Sequence, residues 1–234
     1  MSDMPVRNIT EPHVALALVL DVSASMGEST DGIPAIDLLN NSVNSMVRGL
    51  KENNRLRSIV DLSIFIFGET TKQNPYISFR AIEDFEDIHL EANDKGTFIV
   101  NVLEEAVEAT KQRCRKYLEY GTPCYKPWVV VITDGNFLDS EADLERICQL
   151  MRSIQRDGKQ HFFGFGVGNY DRQQLEKFCD PELVQNRVFD ISVGFFPELL
   201  TWIGKSQNYE ARIEPGDPLL DKVAQLKQLI AEYS

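Results

Sequence analysis

An unbroken apolar run, Val14-Ala-Leu-Ala-Leu-Val-Leu20, passes directly into Asp21-Val-Ser-Ala-Ser25. The run is far shorter than the ~20 residues a bilayer crossing requires, and too short for a helix buried on all sides. A strand covered on both faces has this composition, and strands of that kind belong to parallel sheets. Parallel strands need long crossovers, so helices must lie on both faces of the sheet. The rest of the chain has to supply those helices in alternation with further strands.

It does so in order. Ile36, Leu39, Val43, Met46 and Leu50 form the stripe of an amphipathic helix, and Ile59 to Phe67 is a second strand. Tyr76 to Arg80 follows a loop too short for a parallel crossover, so it is expected as an antiparallel strand at the sheet edge. Ile99, Leu103, Ala106 and Val107 mark the next helix, Trp128 to Thr133 a buried strand, and Leu144, Ile147, Met151 and Ile154 a further helix. His161 to Val167, a short helix near Leu175 to Phe178, Val188 to Ile191 and the helix Phe195 to Ile203 complete the series. The pattern predicts an α/β, doubly wound, Rossmann-like domain whose mostly parallel sheet has strand order 3-2-1-4-5-6. Its extent is 1–207, with the core at about 13–206. Residues 208–234 form a tail in which Glu214 to Pro218 breaks the chain, Asp217 is the expected N-cap, and Leu219, Val223, Leu226 and Ile230 form a seam that docks on this domain or on a partner.

Composition narrows the function. Lys+Arg 24 against Asp+Glu 36 gives a net charge of -12, which argues against non-specific nucleic-acid binding. The first residues lack a basic run followed by an apolar one, so no secretory signal is expected, and no transmembrane helix is visible. Cys114, Cys124, Cys148 and Cys179 include no Cys-x-x-Cys pair and read as reduced thiols of a cytoplasmic protein.

In the expected fold, the strands ending at Leu20 and Thr133 are neighbours at the topological switch point, where open α/β sheets bind ligands. Asp21, Ser23 and Ser25 follow the first, Asp134 and Gly135 follow the second, and Gly96-Thr97 opens a helix at the same edge. Each segment alone is a common turn or cap. Together they gather two carboxylates and three hydroxyls without His or Cys, a set suited to Mg²⁺, with Mn²⁺ or Ca²⁺ as alternatives. The alternate positions of Asp-x-Ser-x-Ser project to one side of an extended loop. With only two charged ligands the ion keeps an open position for an Asp or Glu carboxylate of a partner protein. A phosphoesterase of the Asp-x-Asp kind would need a carboxylate where Ser23 stands, and no base is placed to activate a serine, so a non-enzymatic role is expected. The competing readings are a metal-dependent phosphoesterase and a scaffold whose metal is incidental.

These residues resemble the metal-ion-dependent adhesion site of von Willebrand factor A domains, over about Val14 to Gly204. More narrowly, Ala81-Ile-Glu-Asp-Phe85, Ile132-Thr-Asp-Gly135, Gly164-Phe-Gly-Val-Gly168 and Phe196 to Trp202 are similar to the bacterial TerY-like proteins of tellurium-resistance gene clusters. That resemblance implies a cytoplasmic, metal-dependent interaction module with stress-signalling partners such as a kinase and a phosphatase. Ala24 and Lys95 depart from the family's usual glycines, and Glu28 to Gly32 lengthens a loop beside the site.

Other features carry bland expectations. The glycines of Gly164 to Gly168 lie within a strand and lack dinucleotide-loop spacing, so close backbone packing is expected. Glu83, Asp84, Glu86, Asp87, Glu91 and Asp94 read as a solvated face. Asp139 either supports the site or caps the helix that follows Ser140. His13, His89 and His161 are isolated from one another, and none is expected to be catalytic.

Overall fold

The computed structural model describes residues 6, 8–30, 32–68, 75–92, 96–168, 170–210 and 218–233. In chain order the elements are β1 (Val14–Asp21), β2 (Ser29–Thr30), β3 (Ile33–Pro34), α1 (Ala35–Glu52), α2 (Leu56–Ile59), β4 (Val60–Phe67), β5 (Ile77–Ala81) and α3 (Val100–Glu119). There follow β6 (Trp128–Thr133), α4 (Glu141–Arg156), β7 (His161–Val167), α5 (Arg172–Lys177), β8 (Val188–Ile191), α6 (Phe196–Glu210) and α7 (Pro218–Tyr233). Six strands form one sheet in the order β5-β4-β1-β6-β7-β8. All neighbours are parallel except β5, which runs antiparallel to β4 at the edge. The strand order and the reversed edge strand are those expected from the hydrophobic pattern. The short β2–β3 hairpin, which starts in the loop noted beside the site and extends to Pro34, was not expected.

Every residue of β1 is buried because helices cover both sheet faces. Leu16, Leu18 and Leu20 join α1 and α6 in one core, with Leu39, Val43, Leu199 and Ile203. Ala15, Ala17 and Val19 join α3 and α4 in the other, with Leu103, Val107, Ile147 and Met151. Two small residues on that second face leave room for α3 to approach the sheet closely. The glycines of β7 work in the same way. A Cβ on Gly164 would lie 2.9 Å from Leu175, and one on Gly166 would lie 1.8 Å from the Tyr170 ring, so these positions accommodate neighbouring side chains instead of a nucleotide.

Below α3, Arg113 and Tyr117, one helical turn apart, both reach the buried carboxylate of Asp61 on β4. The Arg113 Nη2 lies 2.5 Å and its Nε 2.7 Å from Asp61 Oδ2, and the Tyr117 hydroxyl donates to the same oxygen at 2.7 Å. The irregular segment before the site is held by side chains. Asn40 accepts from Leu90 N and donates to Leu90 O, both at 2.8 Å, while Asn44 does the same to Ile88 at 2.8 and 2.9 Å. Residues four apart on α1 thus grip residues two apart on an extended strip. Of the residues read as a solvated face, Glu83, Glu86, Asp87 and Glu91 are exposed and Asp84 is half-buried, while His89 between the two anchors is exposed as well; Asp94 lies outside the described residues.

The tail does dock on its own domain. Val223 and Leu226 are buried in the core shared with α6, and the Trp202 indole donates to Lys222 O at 2.9 Å. Pro218 is the first residue of α7; its expected cap, Asp217, and the rest of the breaker before it lie outside the described residues. One expectation fails. Cys114 near the end of α3 and Cys124 before β6 are disulfide-bonded, with Cα atoms 5.7 Å apart, leaving Cys148 and Cys179 as buried free thiols. Their spacing follows no recurrent motif, so only the fold reveals that the helix end and the loop meet. Among the described residues no helix is long and apolar enough to cross a membrane.

Candidate functional site

All five expected site residues stand at the carboxyl end of the sheet, around the junction of β1 and β6. Asp21 is the last residue of β1, Ser23 and Ser25 belong to the turn that follows, Asp134 follows β6, and Thr97 precedes α3. Asp21, Ser23 and Thr97 are buried, and Ser25 and Asp134 half-buried. The hydroxyls of Ser23 and Ser25 are 3.0 Å apart, and Ser25 donates to Asp134 Oδ1 at 2.9 Å, so three side chains form one continuous oxygen chain. Gly135 connects the remaining two. A Cβ there would lie 2.8 Å from Thr97 Oγ1 and 3.4 Å from Asp21 Oδ2. The absence of a side chain at this position lets Thr97 and Asp21 approach Asp134.

Asp21 is held by groups that sequence reasoning did not single out. Ser23 N donates to its Oδ1 at 2.9 Å and the Thr133 hydroxyl to its Oδ2 at 2.6 Å. Thr133 Oγ1 in turn accepts from Gly135 N at 3.2 Å. Phe137 N donates to Gln174 Oε1 at 2.7 Å, which fastens the loop after Asp134 to α5. Of its two expected roles Asp139 does not take the cap of α4, which is Ser140. Its carboxylate instead accepts from Ile99 N at 2.8 Å and Val100 N at 3.2 Å, at the start of α3. Lys95 lies outside the described residues.

Electrostatically the site is an excess of negative charge. Burial raises the carboxyl of Asp21 above the usual carboxylate range despite the hydrogen bonds it accepts. Burial, then the nearby Asp21, and to a lesser degree Glu28 raise Asp134 to about 6. No salt bridge reaches either aspartate among the described residues. The described residues hold no cluster of three or more His, Cys, Asp or Glu side chains, so any ion here would rely on hydroxyls beside two carboxylates. An all-oxygen set with unbalanced charge fits a hard divalent cation, which would be held by Asp21, Ser23, Ser25, Thr97 and Asp134, directly or through water. His13 and His161 lie at the opposite end of the sheet, where they can take no part in this chemistry.

Two exposed apolar side chains lie on the segments that carry the site residues. Phe98 and Leu138, 39% and 58% exposed, sit on the segments carrying Thr97 and Asp134, and Leu138 N donates to Thr97 O at 3.0 Å.

No family model matches the chain, and no curated protein sequence matches it. Solved structures do. The pilus adhesin SpaC from Lactobacillus rhamnosus GG aligns at a TM-score of 0.60 and 14% identity, over 88% of this chain and 32% of that one. The von Willebrand factor domain of the type V pili tip protein Mfa5 from Porphyromonas gingivalis aligns at 0.60 and 9%, over 88% and 99%. The SpRpn10 VWA domain aligns at 0.51 and 15%, over 87% and 97%. The chain spans less than half of several chains it matches, SpaC among them. At these identities the likeness is one of architecture, and with the strand order and crossovers described above it identifies the von Willebrand factor A fold.

Proposed function

We propose that this protein is a metal-ion-dependent interaction module that captures an Asp or Glu side chain of a partner protein through a divalent cation, Mg²⁺ in the first instance. The observation that carries the reading is the convergence of two charge-unbalanced aspartates and three hydroxyls at the switch point. The cation bound there supplies an open, electrophilic position. Asp21 and Asp134 provide its charge balance, and Ser23, Ser25 and Thr97 provide neutral oxygens. Exposed Phe98 and Leu138 beside the site favour a protein ligand over a small anion, because they give a partner apolar area to cover. The pilus proteins among the structural neighbours support an interaction role over a catalytic one. The resemblance to TerY-like proteins supports a cytoplasmic stress-signalling or tellurium-resistance setting, with a kinase or phosphatase among the partners.

Isothermal titration with Mg²⁺ and Mn²⁺, on the wild type and on Asp21→Ala and Ser25→Ala variants checked for folding by circular dichroism, tests the site. Affinity capture from lysate in Mg²⁺ and in EDTA then tests the mechanism. The expected result is metal binding lost in both variants and partners recovered only with metal. Identical partners in EDTA would overturn the metal-mediated reading. Phosphate-ester turnover that requires metal and disappears in Asp21→Ala would point to an enzyme.

A further inference from the structure

The first turn of α3 has no cap of its own, since Ile99 occupies the N-cap position and offers no acceptor for the orphan amides. The acceptor comes from elsewhere in the chain. Asp139 places one carboxylate oxygen on Ile99 N and the other on Val100 N, with the charge at the positive end of the helix dipole. Leu138 N donates to Thr97 O, so three hydrogen bonds join segment 97–100 to segment 138–139. The first segment carries Thr97 and the second ends the short loop that begins at Asp134. Gln174 holds the middle of that loop and Thr133 its start, which leaves the Asp139 end as the link to α3.

We propose that Asp139 is the positioning residue that sets the separation of Thr97 and Asp134, and through it the affinity of the site for a divalent cation. Asp139 does not touch the ion. Its charge is committed to the α3 amides, and its effect is to remove the freedom of two loops that otherwise have to be ordered when the cation binds. This inference rests on the metal-site reading above.

The test compares wild type with Asp139→Ala, Asp139→Asn and Ser140→Ala, titrated with Mn²⁺ by calorimetry. Ser140→Ala removes the neighbouring helix cap, where Ser140 accepts from Asp143 N, without touching the clamp. Asp139→Ala is expected to weaken Mn²⁺ binding by about 10- to 100-fold, as loss of an orienting partner does. Asn keeps one carbonyl oxygen for the amides and is expected to restore part of the affinity, whereas Ser140→Ala stays within about twofold of wild type. In chelator, hydrogen exchange at the Ile99 and Val100 amides should accelerate in Asp139→Ala and not in Ser140→Ala. If Asp139→Ala does not fold, Asp139→Asn carries the comparison, with a smaller loss of affinity and faster exchange at one of the two amides. Unchanged affinity in a folded Asp139 variant, or equal losses in the Asp139 and Ser140 variants, would overturn the proposal while leaving the metal site standing. A wild type that binds no Mn²⁺ would overturn both.

Discussion

Replacing Asp134 by Asn should make the metal-free protein more stable while abolishing its response to metal. The carboxyl of Asp134 is raised from 3.8 to about 6 by burial and by Asp21. The folded protein therefore holds a proton that the unfolded chain has released between those values, and metal-free stability falls as pH rises through 6. Above pH 6 the ionised group opposes folding by at most about 3 kcal/mol, and water around a half-exposed side chain reduces this to about 1–2 kcal/mol. Asparagine removes that opposition and still offers Oδ1 to the Ser25 hydroxyl. In EDTA at pH 7.5 the variant should melt about 2–8 °C above wild type, given about 2–4 °C per kcal/mol for a chain of this size. Below pH 6 the difference should shrink, and it should reach zero below about 3.8, where the carboxyl is protonated in both the folded and the unfolded chain. With Mg²⁺ in large excess the order should reverse, since only the wild type gains binding free energy. Thermal melts at several pH values, with chelator and with Mg²⁺, measure all three. A variant no more stable than wild type at pH 7.5, or a gain that persists unchanged at pH 4.5, would refute the reasoning.

Gly135→Ala should lower metal affinity by about tenfold or more with little change in folding, because its Cβ would displace Thr97 Oγ1 from 2.8 Å; calorimetry with Mn²⁺ beside a melting curve separates the two effects. Arg113→Met should destabilise by about 3–5 kcal/mol in urea unfolding by stranding the Asp61 carboxylate, and adding Asp61→Leu should recover part of the loss. Burial raises the Cys148 thiol to about 11 and Cys179 to about 12, so neither should react with Ellman's reagent in the native protein at pH 8. Denaturation without reductant should then expose the two free thiols, and reduction should add Cys114 and Cys124.

The sheet order and the gathering of five oxygens were readable from the sequence because both follow from topology. Runs buried on both faces, such as Val14 to Leu20 and Trp128 to Thr133, admit few arrangements, and residues just after two adjacent parallel strands must share an edge. What the sequence withheld depends on side-chain direction and on contacts between distant segments. The Asp139 contacts with Ile99 and Val100, the Thr133 contact with Asp21 and the Gln174 contact with Phe137 have no spacing signature. Asp139 in particular stands immediately before Ser140, where a local cap and a role beside the site were equally open. The Cys114–Cys124 bond was hidden for a related reason, as one partner looks like an ordinary helical residue until the helix end meets the loop.

The grip of Asn40 and Asn44 on Ile88 and Leu90 separates anchoring from identity along that strip. A strand in a sheet is constrained by its neighbours on both sides, but this extended strip belongs to no sheet and is tethered through its own peptide groups, with Ile88 and Leu90 turned inwards. The exposed side chains of Glu86, His89 and Glu91 take no part in these four bonds, and Asp87 adds only a surface ion pair to Arg48 at 3.3 Å. A surface ribbon of this kind can be rewritten in charge and shape while its path over the domain stays the same, because what fixes the path is peptide groups and not the exposed side chains.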